Sequence, residues 1–285
     1  MLDQRSMKRH LSRFVTYVLL CLFGFVMIYP LLWLFMATFK TDNELFSSVS
    51  FLPKSVSLQA YINGWKSGGQ YTYGRYIANT LLLTIPTVFF TVTSSALVAY
   101  GFARFSFRFK KPLFTIMIAT LMLPNTVIVI PRYLIFRNLG WLDSYLPFIV
   151  PAILACYPFF IFMMIQFMRG LPKDLDESAY IDGCTPFRTF VSVLMPLLKP
   201  ALFSVAIFQF IWTWGDFFNA LIYITTVKKY TLSLALRMSI DATGGVISWN
   251  QILAMSVVAL LPPAILFFSA QRYFVEGVTM SGIKG

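Results

Sequence analysis

Charge is scarce in this chain of 285 residues. Only 12% of residues are Asp, Glu, Lys or Arg, where an ordinary soluble domain carries about 25%. There are 11 acids, a single histidine and three cysteines. His10 sits in a basic N-terminal stretch with no partner at ligand spacing, and Cys21 and Cys156 lie inside apolar runs, where core packing is their ordinary role. This excludes a metal centre and a disulfide framework. With no Cys–His or Ser–His arrangement, a membrane enzyme is excluded as well. The phosphate-cradling pattern Gly-x-x-x-x-Gly-Lys-Ser/Thr is absent. Gly68-Gly69 and Gly244-Gly245 fall in loops without it, so the chain cannot hydrolyse ATP alone. The net charge of +12 comes without a long basic run or a basic–aromatic repeat, which excludes nucleic acid as a partner.

What the chain has is apolar surface: 58% of its residues are hydrophobic. They fall in uninterrupted runs of the roughly 20 residues needed to cross a bilayer. The class is therefore an all-α integral membrane protein embedded in lipid. Six spans are predicted, at about 14–39, 78–103, 113–135, 147–168, 199–224 and 252–271. The first follows a basic start (Arg5, Lys8, Arg9, Arg13). It is about twice the length of a signal-peptide core and lacks a small-residue cleavage site, so it is read as a retained span. The organisation is a short N-terminus (1–13), a six-span domain (14–271) with a distinctive loop at 170–198, and a tail (272–285).

Six spans place both termini on one side. Fourteen of the 23 Lys and Arg residues fall on that side and nine on the other, and Arg104, Arg108, Lys110 and Lys111 crowd one short connection. The positive-inside rule makes that side cytosolic. The termini and the loop 170–198 are then inside, and the loops 40–77 and 225–251 outside.

Several spans contain proline: Pro30, Pro86, Pro124, Pro158 and Pro262-Pro263. These either kink helices simply or shape a cavity. Thr80, Thr84, Thr87, Thr91 and Ser94 or Ser95 recur at helical spacing and share one face of span two. That face is either glue between helices or the lining of a wet pathway. Asp216 is the one acid within a span. It lies 16 residues past Pro200, about 24 Å along a helix and so near the outer interface. Trp212 and Trp214 beside it suit an aromatic belt. A structural or gating role for Asp216 stands ahead of substrate contact. Gln209 and Asn125 sit deeper and suit a polar lining.

The connection after span four is unlike the others. It holds Asp174, Asp176, Glu177 and Asp182, four of the 11 acids. The early acids suit a helix N-terminus, and Gly183 suits its end. Glu177-Ser178-Ala179, three residues, Gly183, nine residues, then Val193-Leu194-Met195-Pro196 resembles the EAA motif of ABC importer permeases (Glu-Ala-Ala, three residues, Gly, nine residues, Ile-x-Leu-Pro). Ser178, Val193 and Met195 are conservative departures.

The resemblance extends over almost the whole chain and sharpens to the carbohydrate branch, the relatives of the maltose transporter's smaller permease. Asp182-Gly183, Pro196-Leu197-Leu198-Lys199-Pro200 and Trp214-Gly215-Asp216-Phe217 are similar to that branch, which usually has Asn in place of Gly215. So is the ending Gln271-Arg272-Tyr273-Phe274-Val275-Glu276-Gly277 through Gly282-Ile283-Lys284-Gly285. The resemblance implies the type I ABC importer permease fold in a bacterial plasma (inner) membrane and import of a sugar or oligosaccharide. Implied partners are a second homologous permease, two ATPase subunits that hold ATP and Mg, and an extracytoplasmic solute-binding protein. A heterodimer of permeases is expected, with a homodimer as the competitor. Glu177, Ser178, Ala179 and Gly183 are implied to dock on an ATPase, with Asp182 supporting the loop and Lys284 and Gly285 in reach of the same interface. Two alternatives are weighed. A sugar acid or glycerol phosphate ester would use the same machinery, whereas an ion-coupled secondary transporter wants midplane ionisable groups and an internal repeat that the sequence does not offer.

Overall fold

The computed structural model describes the backbone of residues 2–66, 70–241 and 248–282, with side chains for 12–66, 70–240 and 248–271. Lys284, Gly285, Gly68-Gly69 and Gly244-Gly245 lie outside the described residues. Every regular element described is helical. The chain divides into two compact units, 1–73 with 238–259, and 74–237 with 260–285.

The smaller unit contains α1 (Leu2–Ala37), α2 (Asp42–Ser47), α3 (Gln59–Lys66) and the start of α15 (Trp249–Gly282). The apolar stretch Ser12–Ala37 has none of its most apolar window buried inside the protein, as expected of a helix that meets lipid. Its loop side is held by polar contacts. The Thr41 hydroxyl accepts from Glu44 N and caps α2. The Glu44 carboxylate accepts from Lys54 N at 2.9 Å, and Asp42 accepts from Asn250 N at 2.9 Å. Gly64 allows α3 to approach α15, because a Cβ there would stand 3.1 Å from the Gln251 carbonyl.

The larger unit carries most of α4 (Tyr73–Arg104), then α5 (Lys110–Leu121), α6 (Asn125–Asn138), α7 (Leu146–Ile153) and α8 (Pro158–Gly170). The distinctive loop supplies α9 (Asp174–Ile181), α10 (Pro186–Thr189), a π-helical turn (Phe190–Leu194) and α11 (Met195–Leu197). Then come α12 (Lys199–Trp214), α13 (Phe218–Tyr223) and the first part of α14 (Leu232–Asp241), whose residues from Met238 on belong to the smaller unit. The core joins one end of α4 to α8 and to the π turn, through Ala96, Ala99, Tyr100, Phe160, Met164, Ile165, Met168, Phe190 and Leu194. In a membrane, apolar burial drives association weakly, so close backbone approach decides packing. Ala96 and Ala99, both fully buried, permit that approach.

Four stretches are long and apolar enough to cross a membrane: Ser12–Ala37, Tyr73–Arg104, Leu146–Gly170 and Trp249–Gln271. Two further crossings require counting bent pairs as one each, Lys110–Leu121 with Asn125–Asn138 (106°) and Pro186–Leu197 with Lys199–Trp214 (78°). Helices occupy all six predicted stretches, but three of these stretches are not continuous helices, and the second bent pair begins within the loop 170–198 and not at 199. Span three breaks before Asn125, span four at 154–157 and span five at 215–217. At the first two breaks the cause is proline. Pro124 stands at the N-cap of α6 and Pro158 at the first position of α8, where a missing N–H costs nothing. Pro30, Pro86 and Pro262-Pro263 stay within continuous helices. The predicted tail boundary at 272 is not a break either, since α15 runs to Gly282.

At the far end of the larger unit, Asp143 clasps two loops together. Its carboxylate accepts from Thr225 N (3.1 Å), Thr226 N (2.8 Å), the Thr226 hydroxyl (2.7 Å) and Lys229 Nζ (2.9 Å). Burial alone would raise its pKa, but the Lys229 ammonium and the Thr donors outweigh this and hold the carboxyl well below the usual carboxylate range. A depressed folded-state pKa means that the stabilisation is complete above the unfolded value, near 3.8, and fades as pH falls below it. Asp143→Asn is expected to cost about 1–3 kcal/mol at neutral pH. In thermal melts of the detergent-solubilised protein, the gap between wild type and variant should narrow below pH 4. A gap independent of pH would show that the carboxylate charge does not hold the clasp.

Candidate functional site

The loop after span four forms the short helix that its acids and glycine predict. Asp174, Asp176 and Glu177 occupy the first turn of α9, where carboxylates meet the positive end of the helix dipole. The helix ends in a Schellman turn. Gly183 N donates to the Tyr180 carbonyl (3.0 Å) and Cys184 N to the Ala179 carbonyl (2.9 Å). Gly183 adopts φ +77°, a left-handed conformation open to glycine at no steric cost.

What orients this helix was not read from the sequence. Arg104, the last residue of α4, reaches under it. Its Nε stands 3.0 Å from Asp176 Oδ2, with the Arg104 side chain only 7% exposed. Its Nη atoms donate to the Leu171 carbonyl at 3.2 Å each, and Nη2 also reaches the Pro172 carbonyl at 3.3 Å. One guanidinium therefore holds both the entry to α9 and its first turn. The Tyr100 hydroxyl, one turn back on α4, donates to the Pro186 carbonyl at 3.0 Å, and its ring lies 4.9 Å from that of Phe190. Tyr100, Arg104, Lys173, Asp176, Glu177 and Tyr180 line a cleft of about 260 Å³ on this side. The available signal was the position of Arg104 at the end of a span. In the sequence Arg104 is an orientation marker, and its partners Leu171 and Asp176 lie too far along the chain for any spacing rule to name them.

The outer surface of the loop is unusually apolar. Tyr180 is 78% exposed, Ile181 83% and Phe187 69%. Glu177, Ser178, Asp182 and Gly183 are exposed beside them, while Ala179 is buried. Ala179 thus seats α9 against its own chain, and the exposed surface of α9 is that of its neighbours.

The remaining predicted residues separate. Thr84, Thr87 and Thr91, with Thr80 and Ser95, are buried at 1% exposure or less. Thr80 accepts from Leu232 N at 2.8 Å, and Thr87 returns its hydroxyl to the Leu83 carbonyl at 2.7 Å. Within this chain the stripe is buried, but the hydroxyls of Thr84, Thr91 and Ser95 have no hydrogen-bond partner among the described residues, so burial alone does not separate glue from pathway lining. Gln209 is buried and donates to the Thr213 hydroxyl at 2.7 Å. Asp216 accepts from Asn219 N (3.0 Å) and Nδ2 (2.8 Å), so it caps the start of α13. Asn125 is exposed at the start of α6.

Three similarities bear on this arrangement. A probable ABC transporter permease protein, YurM of Bacillus subtilis, is 31% identical over 99% of this chain and 92% of its own. The arabinooligosaccharides transport system permease protein AraQ of Halalkalibacterium halodurans is 30% identical over 98% of this chain and all of its own. A solved bacterial ABC transporter involved in importing the acidic polysaccharide alginate shares the fold, with a TM-score of 0.81 at 22% identity over 93% of this chain and 97% of that one. The family model for the binding-protein-dependent transport system inner membrane component matches residues 92–280, a stretch holding α9, the Arg104 brace and every break in the helical path. This chain belongs to that family, as a non-catalytic permease of ABC transport.

Proposed function

We propose that this chain forms half of the translocation path of an importer for a sugar or oligosaccharide, and that α9 couples it to a separate ATPase. The observation that carries the coupling is the exposed apolar collar formed by Tyr180 and Ile181 of α9 with Phe187 of α10, α9 being braced by Arg104. An exposed apolar patch rimmed by polar groups marks a protein contact. Glu177, Ser178, Asp182 and Gly183 rim it, and Lys284 and Gly285 reach the same partner. The substrate class follows relatives such as the arabinooligosaccharides transport system permease AraQ.

ATP and Mg belong to two ATPase subunits, which close and drive the paired permeases between inward- and outward-facing states. A homologous but different permease supplies the facing wall, and a solute-binding protein delivers the sugar from outside. Both termini and the loop 170–198 lie in the cytosol. A single cysteine at exposed Ser192 should react with an impermeant reagent in inverted vesicles and not in intact cells; the reverse pattern inverts the topology.

Pull-down of this chain, tagged in its native host and extracted in mild detergent, is expected to recover an ATPase and a second permease. Two differently tagged copies of this chain in one complex would replace the heterodimer by a homodimer. Recovery without any ATPase would remove the coupling role of α9.

A further inference from the structure

Three interruptions of the helical path meet around one cation. The chain turns through 106° between α5 and α6, unwinds between α7 and α8 at 154–157, and again between α12 and α13 at 215–217. Arg132 lies seven residues into α6 from Asn125, and its Nη2 reaches Asn125 Oδ1 at 3.5 Å. The same guanidinium acts electrostatically on Cys156 and Tyr157 at the second break, on Asp216 at the third, and on Tyr223 of α13. Non-helical backbone at membrane depth is tolerated where it is buried in protein or lines a water-filled cavity. Asn125 and Cys156 are exposed, and Arg132, Tyr157 and Asp216 partly so, so these breaks are not buried within this chain, and a lining role falls to them if the exposed side meets water.

Arg132 and Asp216 feel each other's charge, yet they close no ion pair. Asp216 instead spends its oxygens on Asn219. A cation and an anion held near one another but apart, beside a tyrosine and an amide, match a ligand that accepts from one and donates to the other. Hydroxyl groups do both. The charges balance locally, so the match is to a neutral ligand. Resting on the reading of the chain as a sugar permease, we propose that Arg132 and Asp216, with Tyr157 and Asn125, form a contact site in the translocation path for a neutral polyhydroxylated ligand, a sugar ring or short oligosaccharide.

Cys156 is the native reporter. In membrane vesicles holding the complete transporter, with Cys21→Ala and Cys184→Ala in this chain, a small hydrophilic methanethiosulfonate should label Cys156. Maltotriose or arabinotriose at about ten times its Kd should slow that labelling about tenfold by occupancy, and trigalacturonate should not. Arg132→Gln removes a charged donor and is expected to weaken the protection about tenfold or more, with Arg132→Lys restoring part of it. A Cys156 that never labels means dry packing and overturns the site. Labelling unaffected by a neutral sugar that the same vesicles import also overturns it, while the proposed function stands. Protection by the uronate alone overturns the neutral specificity, and neither import nor protection by any sugar overturns the site together with the sugar reading.

Discussion

Gly183→Asp is expected to lower sugar uptake by about a hundredfold or more while the permease still reaches the membrane. Within the chain the substitution is spatially free, since a Cβ at Gly183 meets nothing within 4 Å. Its internal costs are the positive φ of +77°, worth about 1–2 kcal/mol for an ordinary side chain, and a carboxylate at the negative end of α9, worth about 0.3–1 kcal/mol. These do not unfold a helix anchored by Arg104. Docking is another matter, because an unpaired carboxylate pressed against a partner is desolvated at a cost of several kcal/mol, and each 1.4 kcal/mol is tenfold. Gly183→Asn separates the two effects. Asn tolerates the left-handed conformation and carries no charge, so it should keep much of the uptake. Uptake of labelled sugar, with co-purification of the ATPase, reads the result. If Asp and Asn both transport like wild type, Gly183 is only a turn residue.

Breaking the Arg104 brace is expected to lower uptake about tenfold or more while leaving the apolar collar of Tyr180, Ile181 and Phe187 intact. Removing Arg104 strands Asp176, which is 25% exposed against 7% for Arg104, so the penalty falls below the roughly 3–5 kcal/mol of a fully buried pair. Arg104→Gln also surrenders the two guanidinium bonds to Leu171. Asp176→Asn is expected to cost less, since Arg104 keeps those carbonyls. Arg104→Lys restores charge without the planar fork and should rescue only in part. A merely structural brace would lower the amount of permease and the transport together. A coupling brace lowers transport per assembled complex and the stimulation of ATP hydrolysis by sugar-loaded binding protein. The cycle of Arg104→Gln, Asp176→Asn and both reports their interaction directly. Additive losses would show that the pair does not act as a unit.

Much of this protein is decided by its order of residues alone. Apolar runs of bilayer length with 12% charge admit no soluble fold, because every unpaired backbone group in lipid must be satisfied within a helix. The acids of α9 and the glycine after it are local signals, and local dipole and left-handed turn physics made them legible. The positions of Pro124 and Pro158 were legible too, although their effect was not. A proline marks where a helix can part, and only the packing around it decides between an unbroken helix, as at Pro86, and the break before Asn125. Tertiary structure alone decided the partnerships. Arg104 and Asp176 are 72 positions apart in the chain, and no spacing rule links them. Arg132, counted in the sequence as one more basic residue, acquires meaning when three breaks bring Asn125, Tyr157 and Asp216 within its field. The threonine stripe shows the same division. Helical periodicity put Thr80, Thr84, Thr87 and Thr91 on one face, but whether that face meets water or another helix depends on what packs there, and in this chain it is buried.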